Sequence, residues 1–104
     1  MPLNRIKYTL LLDYYGDLLT KHQRDILEEY FNEDLSMNEI ADNYHISKSA
    51  VQDLIKRSIE QLNSFEKALK LLQKGEMLDT IINEMKKEDA DIFKKYIVEL
   101  EKIK

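Results

Sequence analysis

Residues 35–57, LSMNEIADNYHISKSAVQDLIKR, contain two helix-start signals eleven residues apart, and this pair constrains the fold more than any other feature. Ser36 followed by Glu39 has the pattern of a capping box, in which each side chain accepts a hydrogen bond from the other residue's backbone amide. Ser47 is a second N-cap candidate. An apolar stripe follows it at spacings of three and four: Val51, Leu54 and Ile55. The stretch therefore predicts a helix-turn-helix at about residues 36–57.

The turn of this motif carries His45 where glycine is usual, so the sequence predicts a non-glycine residue with a positive φ. In a helix-turn-helix that reads DNA, the start of the second helix enters the major groove. The candidate nucleic-acid-binding residues on its outward face are Lys48, Ser49, Gln52, Lys56 and Arg57. Asp53 lies among them and brings a negative charge to the same face. The alternative is a packing module whose second helix docks on protein.

The composition favours an all-α fold. The chain of 104 residues has two glycines and one proline, 35% of its residues are charged, and its apolar residues recur at helical spacing without strand-like alternation. No Gly-rich or Ser-rich linker interrupts it. We therefore expect one helical domain spanning residues 1–104.

Net charge argues against a strong non-specific binder of nucleic acid. The formal charge is −4, and phosphate contacts need clustered Lys and Arg. The charge is uneven: residues 1–35 carry −3, residues 36–75 carry +1 and residues 76–104 carry −2. The motif is thus the least acidic third of the chain, which is compatible with weak or assisted binding.

Helical patterns flank the motif on both sides. The spacing predicts a first helix over about residues 4–15 that ends at Gly16, and a second, opened by a Thr20–Gln23 capping box, through about Phe31. The second motif helix has no stop signal before Gly75, so the pattern predicts a long helix ending there. Two C-terminal helices are expected at about residues 76–104, separated by the run 86–91.

A heptad-like seam runs along the predicted long helix. Its members are Val51, Ile55, Leu62, Phe65, Leu69 and Leu72, with Ser58 at the one polar step. Beyond Leu62 this seam needs a partner outside the first three helices. Two partners fit the pattern: the C-terminal helices folding back, or the same helix of a second copy in a homodimer.

The residue inventory argues against an enzyme. The chain has no cysteine, two isolated histidines and no Gly-rich phosphate loop, so we expect no catalytic residues, no metal site and no cofactor. It also has no apolar run long enough to span a membrane and no secretory signal. We therefore expect a cytoplasmic protein without membrane insertion.

Residues 19–57, LTKHQRDILEEYFNEDLSMNEIADNYHISKSAVQDLIKR, resemble region 4 of bacterial sigma factors, which reads a promoter element with its second motif helix. With the flanking segments LLDYYGDLLT and IKRSIEQL, the chain from about residue 10 to 72 is more similar to the small bacterial YlxM family. The resemblance implies an all-helical, sigma-region-4-like protein. The genes of that family typically neighbour those of the signal recognition particle protein, which implies a regulatory role in that targeting pathway.

The family's second-helix opening, Ser-Arg-Gln-Ala-Val, corresponds to residues 47–51, where Lys48 and Ser49 replace Arg and Gln. Lys48 keeps the charge but lacks the planar guanidinium that binds guanine or phosphate with two hydrogen bonds. Two hypotheses follow. In the first, the protein is a nucleic-acid-binding regulator of DNA or signal recognition particle RNA. In the second, it is a protein-interaction module of the targeting machinery, with the helix-turn-helix only as a scaffold.

Overall fold

A computed structural model describes residues 4–87 and 91–103 of the chain. In this described part the secondary structure is helical, without strands. The helices are α1 (Arg5–Tyr15), α2 (Lys21–Phe31), α3 (Met37–Tyr44), α4 (Lys48–Leu69), α5 (Leu71–Lys87) and α6 (Asp91–Ile103), with a short 3-10 turn (Gly16–Leu18) after α1. The predicted all-α fold, with a helix-turn-helix and a long second motif helix, is confirmed.

The backbone divides into two compact units, Met1–Leu69 and Lys70–Lys104. In the first unit, α4 packs against α1, α2 and α3. The buried apolar side chains of this unit are Leu11, Leu12, Tyr15, Leu19, Ile26, Leu27, Phe31, Ile40, Ala41, Val51, Ile55 and Leu62. Because α4 supplies one stripe to all three neighbours, its opposite side is left facing solvent.

The predicted helix starts of the first unit are confirmed. Thr20 and Gln23 form one capping box and Ser36 and Glu39 form another, with both reciprocal bonds present in each. In α1, the Asn4 side chain accepts a hydrogen bond of 3.0 Å from the Lys7 amide. These caps satisfy backbone donors that the first helical turn leaves without intrahelical partners.

The predicted end of the long helix at Gly75 is wrong. Helix α4 ends at Leu69, Lys70 has a positive φ of 56°, and Gly75 lies inside α5. A lysine in the left-handed region gives no sequence signal, since its side chain disfavours that conformation. A glycine inside a helix costs up to about 1 kcal/mol relative to alanine, which α5 tolerates.

The part of the α4 seam beyond Leu62 packs against α1 of the first unit, which the sequence pattern did not predict. Val51, Ile55 and Leu62 are buried as the pattern predicts. Phe65, which we assigned to a C-terminal helix or a second copy, packs against Tyr15 of α1 with ring centroids 5.9 Å apart. The Tyr15 hydroxyl donates to Glu66 Oε1 at 2.6 Å, so α1 follows α4 well beyond the motif.

In the second unit, α5 and α6 pack on each other, and an ion pair of 2.7 Å joins Lys86 Nζ to Glu101 Oε1. Helix α5 begins at residue 71 instead of the predicted 76, and α6 ends at residue 103, with residue 104 outside the described part. The predicted break at residues 86–91 also lies partly outside it, at residues 88–90. Among the described residues of this unit, six large apolar side chains are exposed: Leu71, Met77, Ile81, Tyr96, Val98 and Ile103.

Candidate nucleic-acid interface

The turn between α3 and α4 is closed by backbone geometry at His45. This residue has φ 56° and ψ 42°, the left-handed conformation predicted for it. The amide of Ile46 donates to the carbonyl of Ala41 at 3.1 Å, the six-to-one bond of a Schellman motif. Ala41 is 6% exposed, so its small side chain belongs to the buried core. The turn therefore sets the angle at which α4 leaves α3.

The start of α4 is anchored by Ser47, whose Oγ accepts from the Ala50 amide at 3.0 Å. This bond confirms Ser47 as the predicted N-cap. Lys48 and Ser49, the first two helical residues, are both exposed. A capped first turn holds its side chains at defined positions, which is what a reading helix needs at the end that enters a groove.

The buried residues of α4 show which of its other residues point outward. The buried residues of the helix are Val51, Ile55, Ser58 and Leu62. At about 100° per residue, the line opposite to them carries Ser49, Asp53, Glu60 and Ser64. The remaining candidates lie on its two flanks: Lys48, Gln52 and Lys56 on one, and Arg57 on the other. All five predicted site residues are exposed, but the structure does not bring them onto one stripe.

An ion pair joins Asp53 to Arg57, with Oδ2 and NH2 2.7 Å apart one helical turn from each other. Both side chains are largely exposed, so the pair stabilises the helix by only about 0.3–0.5 kcal/mol. Its main effect is local. The carboxylate offsets the charge of Arg57 and orients the guanidinium along the helix. The two positive charges that dominate the opposite flank are Lys48 and Lys56, which lie about 12 Å apart along the axis.

An aromatic and acidic contact joins α3 to α2 behind the motif. The rings of Tyr44 and His22 meet edge to face, with centroids 5.4 Å apart. The Tyr44 hydroxyl donates a hydrogen bond to the Glu29 carboxylate, and this bond, together with burial and the carboxylate's charge, raises the pKa of Tyr44 to about 12. His22 itself is exposed. Residues 22 and 29 are two turns apart on α2, so their spacing is the signal for this contact.

A groove runs beside α4 on the flank that carries Lys56, and we call it the α4 groove. Its volume is about 620 Å³. One wall is formed by Tyr8, Tyr30 and Met37, from α1, α2 and α3, and the other by Gln52, Lys56 and Ile59 of α4. Periodicity did not predict this groove, since it needs four helices to form.

Among the described residues, no group of three or more His, Asp or Glu side chains could hold a metal ion. A search of the same residues finds no helix that is both long and apolar enough to cross a membrane.

The capped turn, the buried stripe and the exposed outward side of α4 define a helix-turn-helix protein. The chain belongs to the family UPF0122, described as "Putative helix-turn-helix protein, YlxM / p13 like", whose model matches residues 3–103. This match confirms the family resemblance seen in residues 10–72 and extends it over almost the whole chain.

Three bacterial relatives match over nearly their full length. The chain is 44% identical over 103 residues to a UPF0122 protein of Clostridium perfringens, with 92% of this chain and 91% of the relative covered. It is 41% identical over 100 residues to a UPF0122 protein of Staphylococcus carnosus, covering 94% and 91%. A UPF0122 protein of Clostridium kluyveri is 38% identical over 105 residues, covering 90% and 95%.

Proposed function

We propose that the protein is a non-catalytic regulator that binds nucleic acid through the outward side of α4. The observation that carries this proposal is the exposure of all five candidate residues on one helix whose start is capped and whose buried stripe is held by three neighbours. Rigid placement of exposed polar and basic side chains is what a reading helix requires.

In this proposal, the two flanks and the outward line of α4 have different roles. Lys48 and Lys56 on one flank and Arg57 on the other contact phosphates on either side of a groove. Ser49 and Gln52 reach base edges, since hydroxyl and amide groups both donate and accept. Few phosphates are contacted in this arrangement, so affinity is modest and weakens as salt increases.

The test is charge reversal at the two lysines of one flank. We expect the double variant Lys48→Glu and Lys56→Glu to lose binding to duplex DNA and stem-loop RNA, measured by fluorescence anisotropy at low salt. The matched control is Lys67→Glu with Lys74→Glu, which changes the net charge equally at exposed positions beyond the motif. If wild-type protein binds neither nucleic acid at low salt, the proposal is wrong.

We further propose that the regulator serves the signal recognition particle pathway. The support is the resemblance to the YlxM family, whose genes neighbour those of that particle's protein. Purification of the native protein with and without nuclease tests this: components of the particle should co-purify, and those held through RNA should be lost after nuclease. Recovery of none of them would contradict this part of the proposal.

The alternative is a protein-interaction module that uses the helix-turn-helix as a scaffold. It is favoured by the negative charge on the line of α4 opposite its buried stripe, where Asp53 and Glu60 lie. This alternative expects co-purifying proteins that survive nuclease and are unaffected by reversal of Lys48 and Lys56. The nucleic-acid proposal expects the opposite in both measurements.

A further inference from the structure

The α4 groove lies directly beside the residues proposed to contact phosphates, and its chemistry differs from theirs. Tyr8, Tyr30, Met37 and Ile59 are each only half-buried, so the groove offers aromatic, thioether and aliphatic surface to a ligand. Its volume of about 620 Å³ is within the range of about 300–1,000 Å³ typical of small-molecule sites. A planar ring system of nucleobase size fits such a space.

Polar groups at the groove match the edge of a base. The Asn63 side chain donates from Nδ2 to the Tyr8 hydroxyl at 3.3 Å, which positions that hydroxyl in the groove wall. Gln52 brings an amide that can both donate and accept, and Glu60 brings an acceptor suited to an exocyclic amino group.

Charge connects the groove to the proposed interface. Gln52 and Lys56 lie both on the flank of α4 and in the groove wall, so a strand whose phosphate contacts Lys56 passes the groove entrance. Bases within an intact duplex are stacked and cannot enter, whereas an unpaired base can turn outward. Aromatic surface then replaces the stacking that the base loses.

We propose that the α4 groove holds one unpaired nucleobase of the strand whose phosphates contact Lys48 and Lys56. This inference rests on the proposed nucleic-acid binding and adds a target class: a helical stem interrupted by an unpaired nucleotide. The ligand is the base itself, which RNA and DNA share, so matched RNA and DNA probes separate the two sources.

The experiment compares two stem-loop probes of the same sequence, one fully paired and one with a single unpaired adenine in the stem. Wild-type protein should bind the second probe at least about fivefold tighter, since base contacts with aromatic side chains are typically worth that much or more. Ile59→Trp fills the groove and should make the two affinities equal. The matched control, Ala68→Trp at an exposed position near the C-terminal end of α4, should keep the preference.

A second readout uses the wild-type protein, so it does not depend on the folding of a variant. With 2-aminopurine as the unpaired base, binding should change the fluorescence of the probe, and excess unlabelled probe with the unpaired adenine should reverse this change more effectively than excess unlabelled fully paired probe. Equal affinity for both probes overturns the groove inference while leaving the proposed function intact. Absence of binding to either probe overturns both. Competition by an amphipathic peptide, without any preference between probes, assigns the groove to protein.

Discussion

The Nε2 of Gln23 donates a hydrogen bond of 3.1 Å to the Oγ of Ser58, which is the polar side chain within the buried stripe of α4. The same Nε2 also donates to Gln61 Oε1 at 2.7 Å, and Gln23 Oε1 accepts from the Thr20 amide at 3.0 Å. One side chain thus caps α2 and satisfies a hydroxyl that is 0% exposed. It couples the start of α2 to the middle of the proposed reading helix.

Replacing Gln23 by alanine should lower the free energy of unfolding by about 1–3 kcal/mol, because it leaves the buried Ser58 hydroxyl without this donor and removes half of a capping box. Urea unfolding measures the change. In a Ser58→Ala background the same substitution should cost less, since the hydroxyl is absent. Equal costs in both backgrounds would show that the bond does not stabilise the fold.

Removing the negative charge at Asp53 should strengthen binding to nucleic acid. Asp53→Asn takes a carboxylate off the outer line of α4 and releases Arg57 from its ion pair. A like-charge interaction at close range in water is worth about 1 kcal/mol, so affinity should rise about fivefold. Anisotropy titrations measure this. The control is Asp13→Asn, which makes the same charge change at an exposed position of α1 and should have little effect.

The motif turn should be stabilised by glycine at position 45. His45 has a positive φ, which glycine adopts without steric strain. His45→Gly should raise the free energy of unfolding by about 0.5–1 kcal/mol after the entropy gained by the unfolded chain is included. His45→Val should have the opposite sign, because a β-branched side chain is strained there. Thermal unfolding of both variants checks the direction, and a less stable glycine variant would contradict the assigned geometry.

Alkaline pH should weaken the contact between α3 and α2. The pKa of Tyr44 is raised from 10.0 to about 12 by the neighbouring Glu29. The protonated hydroxyl therefore stabilises the fold fully below about pH 10, and this contribution is lost as the pH rises to about 12. The stability difference between wild type and Tyr44→Phe should shrink over this interval in urea unfolding. A difference that is constant with pH would contradict the contact.

Self-association should involve the C-terminal end of α4. Phe65 packs against Tyr15 within the same chain, but Leu69 of the same seam is 45% exposed. We expect a homodimer in light scattering, and Leu69→Asp should shift it to monomer because a buried carboxylate without a partner is costly. The neighbouring exposed Ala68→Asp is the control. A wild-type protein that is strictly monomeric would make this prediction wrong.

Helix starts in the first unit were predictable because their signals are local. A Ser or Thr with Glu or Gln three residues later satisfies backbone amides within one turn, so Thr20 and Ser36 identify their helices without tertiary information. The end of α4 was not predictable. Lys70 adopts a left-handed conformation that its residue type disfavours, and Gly75, the residue whose type favours a break, stays helical.

The exposure of the five candidate residues on α4 was predictable from the sequence, but their distribution over two flanks and the outward line was not. Sequence alone determined the helical fold, both capping boxes, the αL turn at His45 and the buried stripe of α4, since each depends on residues within a few positions of one another. Only the tertiary structure decided that Phe65 packs on Tyr15, that Gln23 reaches Ser58, and that Tyr8, Tyr30 and Met37 meet α4 in a groove. These contacts join residues that are 15 or more positions apart, so they depend on how the helices pack and not on local preference.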